Sequence, residues 1–150
     1  MGMRDTQTVK FVVLNRNAKA PTYQTEGAAG ADLTYCGLRT TIRQGEVAVL
    51  GTGIAVAIPE GYEGQIRSRS GLAAKSGVHV LNSPGTIDED YRGEIKVILH
   101  NATPGDFVVE PGTRIAQLVI SRYTRGVFRE VESLEDTERG AGGFGSTGEK

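Results

Sequence analysis

No stretch of this chain keeps its apolar residues at a 3.6-residue spacing for three turns, and that constrains the fold more than any other feature. What recurs is a short run rich in β-branched residues, closed by a turn. Val9 to Leu14 opens the series. Leu38 to Ile42 and Glu46 to Leu50 flank Arg43-Gln44-Gly45, which reads as a hairpin turn. Gly53 to Ile58 stops at Pro59, Tyr62 to Ser68 alternates, and Val78 to Leu81 halts at Asn82-Ser83-Pro84-Gly85. Glu94 to His100 and Arg114 to Tyr123 are the clearest later strands, separated by turns at Pro104-Gly105 and Pro111-Gly112. The best helical candidate, Gly71 to Ser76, has room for a turn or two. About ten short strands with regular turns predict an all-β sandwich or jelly roll.

Length and composition narrow the class. A chain of 150 residues favours one domain. A net charge of -1 lacks the basic footprint of a nucleic-acid binder. The apolar runs are too short for a transmembrane helix, and residues 1–9 lack the apolar core of a signal peptide. Cys36 is the sole cysteine, which excludes an intrachain disulfide and a CxxC metal site. The expectation is a cytoplasmic protein with neither a nucleic-acid nor a membrane partner. Glycine is the outlier, 21 of 150 residues, with five crowded into 140–148. The apolar pattern fades after Val131. The reading is therefore a β domain over 1–131 and a glycine-rich arm over 132–150, mobile without ligand.

Five segments carry residues suited to chemistry. In Ala29-Gly30-Ala31-Asp32-Leu33, small residues allow close backbone approach. Asp32 either caps a turn or binds a hydrated metal ion. Arg69-Ser70-Gly71 precedes the helical turn, where Ser70 caps the helix or backbone N–H groups receive a phosphate. Asn82 to Gly93 holds Asp88, Glu89 and Asp90 followed directly by Tyr91. That combination suits a pocket with one stacking wall and one base, although acidic hairpin tips also occur without function. In Arg114-Ile115-Ala116-Gln117-Leu118, alternation puts Arg114, Ala116 and Leu118 on one face and Gln117 among apolar neighbours on the other. A buried amide there needs a backbone or a ligand partner. Finally, Arg139-Gly140-Ala141-Gly142-Gly143-Phe144-Gly145-Ser146-Thr147-Gly148 sets a forked cation, an aromatic face and hydroxyls among glycines that let backbone N–H groups wrap an anion.

In this order, the five segments resemble the five motifs of the trimeric dUTPase family; TIDEDYRGE and RGAGGFGSTG are the most telling. The resemblance spans Ala29 to Gly148. It implies a jelly-roll-like β subunit in a homotrimer whose sites each draw on three chains. One chain gives the first, second and fourth motifs, a second the third motif, and a third the arm. It implies hydrolysis of dUTP to dUMP and pyrophosphate, limiting uracil in DNA and supplying dUMP for thymidylate synthesis. Asp88 would be the general base for water attacking the α-phosphorus. An aspartate is a weak base at neutral pH, so positioning and charge stabilisation would supply most of the acceleration. Asn82 and the backbone around Thr86 and Ile87 would read the uracil edge. Tyr91 would pack beneath the deoxyribose and exclude a 2′-hydroxyl, and Lys96 matches a further substrate contact. Arg69, Ser70, Gly71 and Gln117 would hold the phosphates. Mg²⁺ would ride on the triphosphate, with Asp32 acting through a bound water. Arg139, Ser146 and Thr147 would clamp the γ-phosphate, Gly145 would belong to the same substrate-binding stretch, and Phe144 would stack on the uracil.

The chain departs from the family at Ser68, where proline often precedes Arg-Ser-Gly; the exchange is expected to loosen that loop. Cys36, His79 and His100 match no catalytic position. The alternative is a dCTP deaminase, or a bifunctional deaminase and dUTPase, of the same fold with a glutamate base, for which Glu89 is the available residue. A non-enzymatic β-trimer scaffold is the other class, and the intact acid, tyrosine and arm argue against it.

Overall fold

Inward and outward residues alternate along the strands, and this places the core. The protein is described by a computed structural model covering residues 5–146 and 148. Ten strands and one short helix follow in order: β1 (Lys10–Val13), β2 (Ala31–Thr34), β3 (Thr40–Ile42), β4 (Val47–Ala57), β5 (Tyr62–Arg67), α1 (Ser70–Ser76), β6 (Val78–Val80), β7 (Gly85–Ile87), β8 (Glu94–Asn101), β9 (Phe107–Val109) and β10 (Arg114–Arg122). They form two four-stranded antiparallel sheets, β1-β4-β8-β6 and β2-β10-β5-β7, with the ribbon β3-β9 beside them. The all-β, jelly-roll-like class expected from the sequence is the one observed.

β8 shows the logic. Ile95, Val97, Leu99 and Asn101 are buried, while Glu94, Lys96, Ile98 and His100 lie on the outer side. The inward set joins Leu33, Ile42, Ile54, Val78, Val80, Val109 and Ile115 in one core shared by both sheets. Asn101 is the polar exception, and all of its hydrogen-bonding groups are used. Its amide donates to the carbonyls of Ile42 and Gly105, both at 2.8 Å, and its oxygen accepts from the Thr103 N–H and hydroxyl. A buried amide satisfied in this way costs little and fixes the end of β8 against β3.

Three local expectations are corrected. The turn at residues 43–46 exists, closed by the Glu46 N–H on the Arg43 carbonyl at 3.0 Å, but its flanks do not pair with each other. β3 pairs with β9, and β4 pairs with β1 and β8. The runs at 46–50 and 53–58 are one strand, β4, whose register against β8 slips between Gly51 and Ala55. A bulge at Ile115 breaks the alternation of β10, because Arg114 opposes Thr34 while Ala116 opposes Leu33. After β10 the described residues form no further strand or helix. Val127, Phe128, Leu134 and Phe144 there are 94%, 99%, 87% and 114% exposed. No helix among the described residues is long and apolar enough to cross a membrane.

Candidate active site

The bulge builds the first half of the site. Cross-strand partners point to the same face, and so do residues two apart on one strand. With Asp32 opposite Gln117 and Thr34 opposite Arg114, the inserted residue moves Arg114 onto the face of Asp32 and Gln117, away from Ala116 and Leu118. Strict alternation predicts the opposite. Asp32 is only 8% exposed, and two cations hold it: Arg114 Nη1 lies 2.9 Å from Oδ2 and Arg69 Nε 3.3 Å from Oδ1. Its carboxylate is thus engaged by arginines and not spent on a turn cap. Arg69 also donates to the Arg114 carbonyl at 2.9 Å. Two guanidinium groups against one carboxylate leave a surplus positive charge, which suits a polyanion.

Gln117 lies over Gly30. A Cβ at position 30 would sit 2.9 Å from Gln117 Cδ, closer than packed atoms allow, so a side chain there would displace the Gln117 amide. The Gln117 amide donates to the Ser68 carbonyl at 2.9 Å, so its partner here is backbone. Ser70 opens α1 with Arg69 in the capping position, and no side chain caps the helix. The capping role considered for Ser70 is therefore not the observed one. A Cβ at Gly71 would meet nothing within 4 Å.

The second half lies where β7 leaves the sheet. Gly85, Thr86 and Ile87 pair with Ile66, Gln65 and Gly64 of β5. Ile87 is buried in the core, which turns Asp88 outward. A cavity of about 340 Å³ opens here, lined by Asn82, Thr86, Ile87, Asp88, Tyr91 and Lys96 among others. This is at the small end of ligand pockets. Among the described residues, Asp88 has no hydrogen bond or ion pair to its side chain. Tyr91 is fixed: its hydroxyl donates to the Glu94 carbonyl at 3.0 Å, and its ring covers Gly93, where a Cβ would stand 2.6 Å from the ring carbon Cζ. The Lys96 ammonium is 4.0 Å from the Glu94 carboxylate. A larger cavity of about 640 Å³, bordered by Tyr23, Tyr62 and Arg122, holds none of the residues singled out from sequence.

Two residues join these halves to the rest of the fold. The Ser68 hydroxyl accepts from the Val80 N–H at 2.9 Å and lies 3.3 Å from the Ser83 hydroxyl. Serine here ties the Arg69 loop to the Asn82 loop. Glu89 accepts from the Gly61 N–H at 2.6 Å. That bond first, and the Tyr123 hydroxyl second, hold its carboxyl below the usual range.

The arm joins neither half within one chain. Arg139 Nε donates to the Gly142 carbonyl at 2.9 Å, and the Ser146 N–H to that of Gly143 at 3.0 Å. Phe144 is wholly exposed at a positive φ of 50°, with Gly145 next to it. Thr147 lies outside the described residues. The cavity that holds Asp88 is lined by none of Asp32, Arg69, Arg114 or Gln117. Sequence reasoning missed Arg114, Gly93, Glu94 and the positive role of Ser68. Only Arg114 left a signal, three residues before Gln117, and assumed alternation hid it.

Comparison with known proteins adds four findings. A model of the dUTPase family matches residues 16–148. The deoxyuridine 5'-triphosphate nucleotidohydrolase of Rickettsia bellii (strain OSU 85-389) is 60% identical over 131 residues, 87% of each chain. The dUTPase of Staphylococcus bacteriophage 80alpha, solved with dUpNHpp, superposes with a TM-score of 0.87 at 31% identity, covering 95% of this chain and 99% of that one. A variant of the S. aureus phage phi11 dUTPase, at 26% identity and a TM-score of 0.79 over 87% of this chain and all of that one, coordinates a structural Mg(II) ion.

Proposed function

Because the chain belongs to the dUTPase family, we propose that it hydrolyses dUTP to dUMP and pyrophosphate, with Asp88 readying the water that attacks the α-phosphorus. The observation that carries the assignment of the base is the state of that carboxylate. It is exposed, without a side-chain partner among the described residues, at the wall of a nucleoside-sized cavity whose tyrosine is locked in place. Water attacks phosphorus as its proton passes to Asp88, and the bond to the bridging oxygen breaks to release pyrophosphate. Asn82 and the backbone of Thr86 and Ile87 read the uracil edge. Cytosine, with the opposite donor pattern, would leave those groups unpaired. Tyr91 carries the deoxyribose, and Lys96 faces the same cavity. Arg69, Ser70, Gly71 and Gln117 receive the phosphates, and Arg114 adds its charge beside Asp32. Arg139, Gly145, Ser146 and Thr147 close over the triphosphate, with Phe144 on the base.

The donor set fits Mg²⁺ arriving with the nucleotide. Among the described residues no trio of His, Cys, Asp or Glu could cage a metal, and a small hard cation keeps its waters and takes phosphate oxygens with one carboxylate nearby. Asp32 would hold it through a water; when bound, the ion neutralises charge on the leaving pyrophosphate.

A homotrimer with shared sites accounts for the separation, in one chain, of the Asp88 cavity, the Asp32 cluster and the arm. It also accounts for the bare Val127 and Phe128. A cytoplasmic location fits nucleotide metabolism. Against the deaminase reading, the Glu89 carboxylate is engaged by the Gly61 N–H, and Glu89 does not line the cavity of about 340 Å³ shared by Asn82, Asp88 and Tyr91. The test is pyrophosphate release from dUTP with Mg²⁺ by the parent and by Asp88→Asn. A loss of about 100- to 10,000-fold in kcat is expected for a general base. Full activity in the variant would remove Asp88 from the mechanism, and ammonia released from dCTP would favour the deaminase.

A further inference from the structure

We infer that Glu89 is the positioning residue for Asp88, tying the loop that carries the base to the β4–β5 turn and to the root of the C-terminal arm. The inference rests on Asp88 being the base. Consecutive residues here differ in their partners: Asp88 lines the nucleoside cavity, and the Glu89 carboxylate reaches the β4–β5 turn. The Glu89 carboxylate accepts from the Gly61 N–H at 2.6 Å, and its carbonyl accepts from Arg92 Nη1 at 2.6 Å. The Asp88 carbonyl accepts from the Tyr91 N–H at 3.1 Å. The backbone on both sides of the 88–89 peptide is therefore held, and the direction of the Asp88 side chain follows from it.

Gly61 extends the tie to the arm. Its N–H engages Glu89, and its carbonyl accepts from the Tyr123 N–H at 3.2 Å, at the first residue after β10. The Glu89 carboxylate also pushes the Tyr123 hydroxyl's titration up. A second cavity of about 480 Å³, on this side of the loop, is lined by Thr86, Asp88, Glu89, Asp90, Tyr123 and Arg125, so the base borders the junction as well as the nucleoside cavity. The carboxyl is held below its usual range, so Glu89 stays charged where Asp88 works. A fixed anchor one residue away gives the base its aim, and an error of ~1 Å in such aim costs about 100-fold in rate.

The experiment measures kcat, KM for dUTP, dUMP affinity and melting temperature for the parent, Glu89→Ala, Glu89→Gln, Tyr123→Phe and Asp88→Asn. Glu89→Ala should lose about 10- to 100-fold in kcat, with KM and dUMP affinity within about threefold and the melting temperature little changed. Glu89→Gln keeps an oxygen for the Gly61 N–H and should recover to within about threefold of the parent. Tyr123→Phe removes only the hydroxyl and should fall between the parent and Glu89→Ala, so the junction is tested even if Glu89→Ala folds poorly. The inference is overturned if Glu89→Ala keeps kcat within about twofold, or if the loss appears in KM or tracks the melting temperature. It is also overturned if Glu89→Gln is as impaired as Glu89→Ala, or if Tyr123→Phe equals the parent. An inactive Asp88→Asn beside an unaffected Glu89→Ala removes the positioning role alone. An active Asp88→Asn removes both.

Discussion

Two aspartates in this chain stand in opposite circumstances. Asp32 is nearly buried, and two arginines occupy its oxygens at 2.9 and 3.3 Å. Asp88 is exposed and, among the described residues, carries no side-chain hydrogen bond or ion pair. A carboxylate meant to take a proton from water must keep an oxygen free for it, whereas one that arranges cations must not. The difference comes from backbone context. Asp32 lies in mid-strand opposite Gln117, where a bulge delivers Arg114 to it. Asp88 follows a buried isoleucine at a strand end, where the chain turns to solvent. The same side chain gathers positive charge in one place and is left open to a proton in the other.

The contrast can be broken or sharpened by experiment. Among the described residues of one chain, none of residues 139–150 is bonded to either aspartate, so the effect of removing them separates the arm from both. Their removal should leave the melting temperature and the assembly intact while kcat/KM for dUTP falls on the order of 1,000-fold, because several anion donors leave together. A truncated chain that melts early would show the arm to be part of the fold. Asp32→Asn should cost about 100-fold in kcat/KM. It should also cost about 1–2 kcal/mol in thermal unfolding, discounted because both arginines are partly solvated. Asp88→Asn should leave the unfolding free energy within about 0.5 kcal/mol. Equal melting curves for the two variants would erase the distinction. Gly93→Ala pushes the Tyr91 ring off its seat and should cost about tenfold in kcat/KM, with discrimination against UTP reduced in step. Ser68→Ala leaves the Val80 N–H without its acceptor and should cost about 1 kcal/mol of stability and a few-fold in kcat/KM. An Ala variant more stable than the parent would show that the serine does not tie the two loops.

The class of fold was legible because period-2 patterning and turn residues are local. Strands such as β8 and β10 fall within a residue or so of where the apolar runs put them. Partnership was not legible. The turn at residues 43–46 reads as a hairpin, yet its flanks enter different sheets, since long-range packing decides which edges meet. Asp88, Tyr91, Asn82 and Lys96 were found through their motif, and the structure brings them around one cavity. Arg114 was hidden because one inserted residue reverses every assignment of face before it. Gly93 and Ser68 matter through contacts with Tyr91, Val80 and Ser83, and no single-residue propensity encodes those.

The bulge at Ile115 has a consequence for how this chain tolerates changes of length. Odd and even positions trade sides across it, so it works as a parity shift written into a single strand. Deleting Ile115 would restore regular alternation and still leave Arg114 opposite Thr34, on the side of Asp32, whereas regular pairing with every residue kept would swing its guanidinium to the side of Ala116 and Leu118. Loss of the extra residue is thus tolerated by the frame in which phosphate-facing and interior residues are told apart, while a further insertion there resets it.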